Sequence, residues 1–196
     1  GIHNDPRLST RGEFLLKVLY PSRSYCVQVL NKTYHDTQYG FPLKDDHLLF
    51  ERLILEINQA GLSWITILRK ADNFRKAYHG FDIDKVAKYG EKDRARLLAD
   101  TGIIRNRLKV NAAIVNAQRI LELRKEYGSF KGWLDANRRL SKEEWIKLFK
   151  KTFVFTGGEI VNEFLMSTGY LAGAHAESCP TYKKVALLRP AWLQRR

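Results

Sequence analysis

The segment from Leu48 to Phe81 constrains the fold more than any other part of the chain. Apolar residues recur at helical spacing through its first half, with Leu49, Leu53 and Ala60 on one stripe and Phe50, Ile54 and Ile57 beside it. Glu56 falls on the first stripe, between Leu53 and Ala60. A carboxylate in that place is either buried and paired or lines a cavity, because an unpaired buried charge costs too much. The Gln59-Ala60-Gly61 turn ends the helix, with Gly61 suited to a left-handed cap. Ser63 is suited to cap the next helix, which Trp64 opens. One short segment can therefore gather a carboxylate, the amide of Gln59 and a large aromatic ring around a pocket. The same pattern also describes a plain helical hairpin of the core with a glutamate at its edge.

The rest of the chain repeats the helical theme. Asp45 or Asp46 can cap a helix from about 46 to 58, followed by helices near 64–70 and 71–79, the last ending at Gly80. Asp82 can cap a short helix near 83–89, and another runs near 92–99. The longest candidate, Arg105 to Tyr127, carries Val110, Ile114, Ala117 and Leu121 as a core stripe and stops at Gly128. Ser141 and Glu144 form a capping box, and a further helix spans about 158–168. Asn31 to Pro42 reads as turn-rich and aromatic, and the stretch from Phe14 to Leu30 reads equally as a short helix or as irregular chain. No strand alternation stands out, so the expected fold is all-α with eight to ten helices.

At 196 residues the chain suits one domain or two small lobes sharing a core. No run approaches the apolar length that spans a bilayer, and no signal peptide is recognisable, which points to an intracellular protein. The net charge is +13, and the excess sits in the second half, where 18 Lys and Arg face 8 Asp and Glu. A polyanion is the natural partner, nucleic acid first, with an anionic membrane surface the weaker choice. Gly102 to Lys109 sets Arg105, Arg107 and Lys109 around a helix start, where backbone amides attract phosphate. Lys150 and Lys151 precede a second such turn, whose Gly157 and Gly158 allow close backbone approach. Such devices hold a nucleic-acid backbone without reading bases, and each is equally compatible with a solvated helix end. The two cysteines, Cys26 and Cys179, join His35 and His175 in a two-Cys, two-His set of the kind tetrahedral zinc accepts. His175 and Cys179 would share a helix face if their stretch is helical. Buried thiols and ordinary histidines are the other reading.

Several short motifs are shared with a known family. Tyr34-His35-Asp36 with Tyr39-Gly40, the run Gln59-Ala-Gly-Leu-Ser-Trp-Ile65 and Phe81-Asp82 are the first. Gly102-Ile-Ile-Arg105 with Arg107 and Lys109, Asn116-Ala117, and Phe153, Phe155 and Gly157 follow. Phe164, Met166 and Gly169 come next, and His175 with Cys179 closes the series. With these the sequence resembles the bacterial DNA-3-methyladenine glycosylase I family of the helix-hairpin-helix glycosylase superfamily, over about residues 24–180. Gln38-Tyr39-Gly40 stands where that family usually has Glu-Trp-Gly. Asn162 and Glu163 stand where it has an aromatic and a small residue, and Gln28 replaces a tryptophan.

The resemblance implies a helix-hairpin-helix glycosylase domain over 24–180, with an unrelated extension at 1–23 and a basic tail at 181–196. It implies a monofunctional enzyme that hydrolyses the N-glycosidic bond of alkylated purines, 3-methyladenine first, in base excision repair, without a lyase step. Glu56 then corresponds to the base-pocket glutamate, and Tyr34 and Trp64 to the pocket aromatics, with Gln59 and Tyr39 at the substrate. Cys26, His35, His175 and Cys179 correspond to structural zinc ligands joining the two ends of the chain. Segment 149–165 corresponds to the DNA-binding hairpin. The implied partner is double-stranded DNA containing alkylated bases, and the implied location is the bacterial cytoplasm, on the nucleoid. Two other classes stay open at this point: a non-catalytic DNA-binding protein of the same fold, and a zinc-stabilised interaction domain.

Overall fold

The computed structural model describes residues 29–194, and among them every regular element is helical. Ten α-helices follow in order: α1 Val29–Thr37, α2 Asp46–Gln59, α3 Trp64–Ala77, α4 Ile83–Ala87, α5 Glu91–Ala99, α6 Arg107–Tyr127, α7 Phe130–Ala136, α8 Lys142–Thr152, α9 Gly158–Ser167 and α10 Pro180–Leu187. Short 3-10 turns cover His79–Phe81 and Ala191–Gln194. No helix among the described residues is long and apolar enough to cross a membrane.

The starts and stops lie where local chemistry places them. The Asp45 carboxylate accepts from the amides of His47 and Leu48 at the start of α2, and Asp82 accepts from Lys85 at the start of α4. Ser141 and Glu144 form the reciprocal capping box of α8. Gly128, at φ +81°, ends α6 in the left-handed conformation.

Three expectations are corrected. Residues 31–37 are not turn-rich: they complete α1, supported by the Lys32–Asp36 ion pair one turn apart and by Thr37 Oγ1 donating to the Thr33 carbonyl. Residues 64–77 form one helix instead of two, and Arg75 holds it by pairing with Asp72 on α3 and Glu51 on α2. The stripe pattern of α2 also understates its burial, since all residues from Leu49 to Gln59 are buried. Beyond its first turn, helix α2 is thus a central helix enclosed on every side, not an amphipathic surface helix.

Around α2 the other helices close the core. Helix α6 contributes Val110, Ala113, Ile114, Ala117 and Ile120. An aromatic cluster of Phe130, Trp133, Trp145, Phe149, Phe153 and Phe164 joins α7, α8 and α9, its neighbouring rings 5.3–6.1 Å apart. At about 1.5–3 kcal/mol for each fully buried large side chain, this cluster is the main anchor of the loop between α8 and α9. Tyr182 and Trp192 pack together, and the Trp192 amide donates to the Gly169 carbonyl, so residues 190–194 are docked.

Candidate functional site

Burying α2 from Leu49 onward sets a problem for its five polar residues from Glu51 to Gln59, since each must find a partner. Glu51 takes Arg75. Asn58 Nδ2 donates to the Ile54 carbonyl, and Gln59 Nε2 donates to the Leu62 carbonyl, which stiffens the turn into α3. Arg52, 6% exposed, donates from Nη1 to the Ser167 carbonyl at 3.0 Å, and its guanidinium lies 5.2 Å from the centre of the Tyr34 ring. Glu56, 1% exposed, sits one helical turn beyond Arg52 on the same face.

Tyr34 lies at the centre of a group of rings drawn from three elements. Its ring centre is 5.2 Å from that of Trp64, the first residue of α3, and 5.8 Å from that of Tyr39 in the turn after α1. All three rings are buried. Tyr39 hydroxyl and Glu163 Oε2 on α9 are 3.4 Å apart. Tyr34 is therefore in ring contact with both Tyr39 and Trp64, and Arg52 reaches its ring from α2, one helical turn before Glu56. Sequence reasoning passed over Arg52 and gave no role to Glu163. The position of Arg52, four residues before Glu56, was the available signal.

Turn 38–40 joins this group to a second cluster. Gly40 has φ +84°, and its amide donates to the Ser167 carbonyl. A side chain here would strike Ala174 Cβ, 2.8 Å from the Cβ position, and the His175 ring behind it. That close approach brings His175 to His35. His35 Nε2 lies 3.1 Å from His175 Nδ1 and 3.7 Å from Cys179 Sγ, and the last two atoms are 4.0 Å apart. Zinc–nitrogen bonds of about 2.0–2.1 Å and zinc–sulfur bonds of about 2.3 Å put neighbouring ligand atoms roughly 3.3–3.8 Å apart, so the three atoms approach three corners of a coordination tetrahedron without matching it. The outer ring nitrogens are also engaged. His35 Nδ1 meets Asp36 Oδ1 at 2.8 Å, and His175 Nε2 meets the Tyr39 carbonyl at 2.5 Å, the usual support of ligating histidines. Burial pushes the His175 pKa down, and hydrogen bonds from Lys32 and His35 hold the Asp36 carboxyl at about 2. Both effects favour a neutral imidazole beside a carboxylate, the forms that metal binding needs. His175 and Cys179 meet across a turn and not along a helix face, because Pro180 starts α10 with Cys179 as its cap. Cys26 lies outside the described residues.

The basic residues divide. Arg105, Arg107, Lys150 and Lys151 are exposed, as is Gly157, which caps α9 ahead of Gly158. Lys109 departs from the expectation: it is 5% exposed, and Nζ turns inward to donate to the carbonyls of Asn58 and Ala60 at 2.8 Å each. It satisfies the end of α2 and is not offered to a partner. Two turns along α6, Asn116 takes the Val154 amide on Oδ1 and gives Nδ2 to the Val154 carbonyl. The 60–63 turn and the 153–157 loop are thus fastened to one face of α6, roughly 10 Å apart at 1.5 Å per residue.

An all-α fold that buries an acid on its central helix, clusters aromatic rings and exposes basic residues at two turns suits a helical DNA glycosylase. The methyladenine glycosylase family matches residues 26–142. Among curated proteins, DNA-3-methyladenine glycosylase 1 of Escherichia coli is 36% identical over 172 residues, covering 76% of this chain and 89% of the relative. DNA-3-methyladenine glycosylase of Haemophilus influenzae is 35% identical over 166 residues, covering 75% and 89%. Among solved structures, a crystal structure of 3-methyladenine DNA glycosylase I superposes with a TM-score of 0.74 at 32% identity, covering 81% of this chain and 97% of that one. The 3-methyladenine DNA glycosylase I of Staphylococcus aureus gives 0.73 at 31% identity, covering 79% and 92%. The chain belongs to the methyladenine glycosylase family.

Proposed function

We propose that this protein is a monofunctional DNA glycosylase of base excision repair that releases alkylated purines, 3-methyladenine first, from double-stranded DNA. One observation carries the reading: the family match spans the stretch that buries Glu56 on α2 and sets Tyr34 in tilted contact with Trp64. A base cannot be reached inside the duplex, so the nucleotide is extruded, at a cost that damage lowers. N3-methylation leaves adenine cationic within the nucleotide. The Glu56 carboxylate favours that charge and accepts a hydrogen bond, while Tyr34 and Trp64 flank the ring with a cation–π component. Gln59 and Tyr39 border the base. Water attacks the sugar C1′, and the C1′–N bond breaks with its electron pair passing to the base, which leaves neutral. The proton of the attacking water goes to solvent, and an abasic site remains. Since the leaving group is already activated, no strong general acid is needed. No lysine is assigned to a Schiff base with the sugar, in keeping with a hydrolase that stops at the abasic site.

Arg105, Arg107, Lys150 and Lys151, with the amides of Gly157 and Gly158, hold the DNA backbone across the two loops fastened to α6. Lys109 supports them from inside. His35, His175 and Cys179, with Cys26 as the fourth ligand, hold a structural zinc ion that ties the chain's beginning to its end. The ion supplies cross-linking and no chemistry at the base. The catalytic body is residues 24–180, followed by the basic tail 181–196, of which 181–194 pack on it, and the site of action is the bacterial nucleoid.

The test is base release from methylated duplex DNA, with the liberated bases separated by chromatography. Liberation of 3-methyladenine with an intact sugar–phosphate backbone supports the proposal. Duplex binding with no base released would leave a DNA-binding protein in its place.

A further inference from the structure

A cavity of about 250 Å³ lies away from the rings and the histidine cluster, between the loop after α1, helix α7 and the C-terminal segment. Four cations from three parts of the chain line it: Lys44, Lys131, Arg138 and Arg189. Asp135 is the one acid in the lining, and both its oxygens are used, Oδ2 by Lys131 Nζ at 2.6 Å and Oδ1 by the Tyr170 hydroxyl at 2.7 Å. Burial pushes the Tyr170 pKa upward, which keeps that hydroxyl a donor. Asp46, behind the wall, is spent on the amides of Phe130 and Lys131. Lys44 and Arg189 form no ion pair among the described residues. Lys44 and Arg189 therefore carry the positive charge the cavity offers, beside the apolar walls of Leu43, Leu188 and Pro190.

The cavity is built, not left over. Arg189 adopts φ +50°, a left-handed conformation that disfavours side chains other than glycine. Gln194 Nε2 secures it by donating to the Arg189 carbonyl, and the Trp192 amide pins the segment to Gly169. Gly169 in turn lies 3.4 Å, from its Cβ position, to the Gly40 carbonyl, so the wall continues into the turn that carries Tyr39.

We propose that this cavity is a phosphate site, taking a phosphate group together with the sugar attached to it. Lys44 and Arg189, which form no ion pair among the described residues, suit the acceptor oxygens of a phosphate, and the apolar wall suits a deoxyribose. The phosphate has two sources, a free nucleotide or a backbone phosphate of bound DNA. The inference does not depend on which bases the enzyme releases.

The experiment uses the full chain and two exposed-residue variants, Lys44→Gln and Arg189→Gln. Inorganic phosphate and deoxyadenosine monophosphate are titrated calorimetrically at constant ionic strength against a chloride control, and duplex affinity is measured at several salt concentrations. Saturable phosphate and nucleotide binding, weakened about tenfold in each variant with duplex affinity unchanged, identifies a free nucleotide site. No nucleotide binding, with a salt slope reduced by about one unit in each variant, identifies a backbone-phosphate site. Phosphate responses equal to chloride, with duplex affinity indifferent to both substitutions, overturn the proposal. Base release from methylated DNA is followed in parallel, so a failure of the phosphate site is separable from a failure of the glycosylase reading.

Discussion

Arg52 is the residue whose environment is hardest to justify by stability alone. Its charge is buried, it meets a carbonyl and a ring face, and it forms no ion pair among the described residues. The Ser167 carbonyl would remain satisfied without it, because the Gly40 amide also donates there. Replacing a buried charge by an apolar side chain of similar size is often neutral for stability. Arg52→Met should therefore leave urea-denaturation stability within about 1 kcal/mol of the parent. It should raise the KM for base release, since the guanidinium no longer holds the Tyr34 ring. Glu56 was legible in the sequence as a carboxylate inside an apolar stripe. The Tyr39–Glu163 contact was not, because its partners are 124 positions apart and neither is unusual in its own segment.

At the scale of elements, local signals were read well where a cap or a glycine decides the outcome, as at Asp45, Asp82, Ser141 and Gly128. They misled where the deciding contact is remote. Helix α1 has helix-poor residues that suggest turns from Asn31 onward, and Lys109 resembles a surface cation in sequence because its acceptors lie at the remote end of α2. Lys109→Met should cost about 2–3 kcal/mol in urea denaturation, since the end of α2 loses two hydrogen bonds to a charged donor. Asn116→Ala, which frees the 153–157 loop, should weaken duplex binding while the aromatic cluster keeps the fold. Glu144 offers a pH test. Its hydrogen bonds from Ser141 lower its pKa below the ordinary 4.5. A depressed carboxylate stabilises above its unfolded value, and the stabilisation is lost as pH falls through the folded value. The Tm difference between the parent and Glu144→Gln should be present at neutral pH and close as pH falls below 4.5.

Over the whole molecule, the all-α class followed from helical periodicity and the absence of strand alternation, whereas the enclosure of α2 could not be read from it. Periodicity reports one apolar face; it does not say that the polar face will be covered as well. The joining of His35 to His175 was legible only as a set of ligand types, because their approach depends on Gly40 passing close against residues 174–175. If that cluster holds a structural metal, Cys179→Ser should lower both metal content and Tm, and chelation should lower the Tm of the parent toward that of the variant. Reception of one extruded cationic purine by the buried Glu56 carboxylate is decided by Glu56→Gln. Release of 3-methyladenine from methylated duplex should fall by about 10²–10³-fold with duplex affinity and circular dichroism unchanged. Release at the parent's rate by a folded Glu56→Gln protein would contradict it.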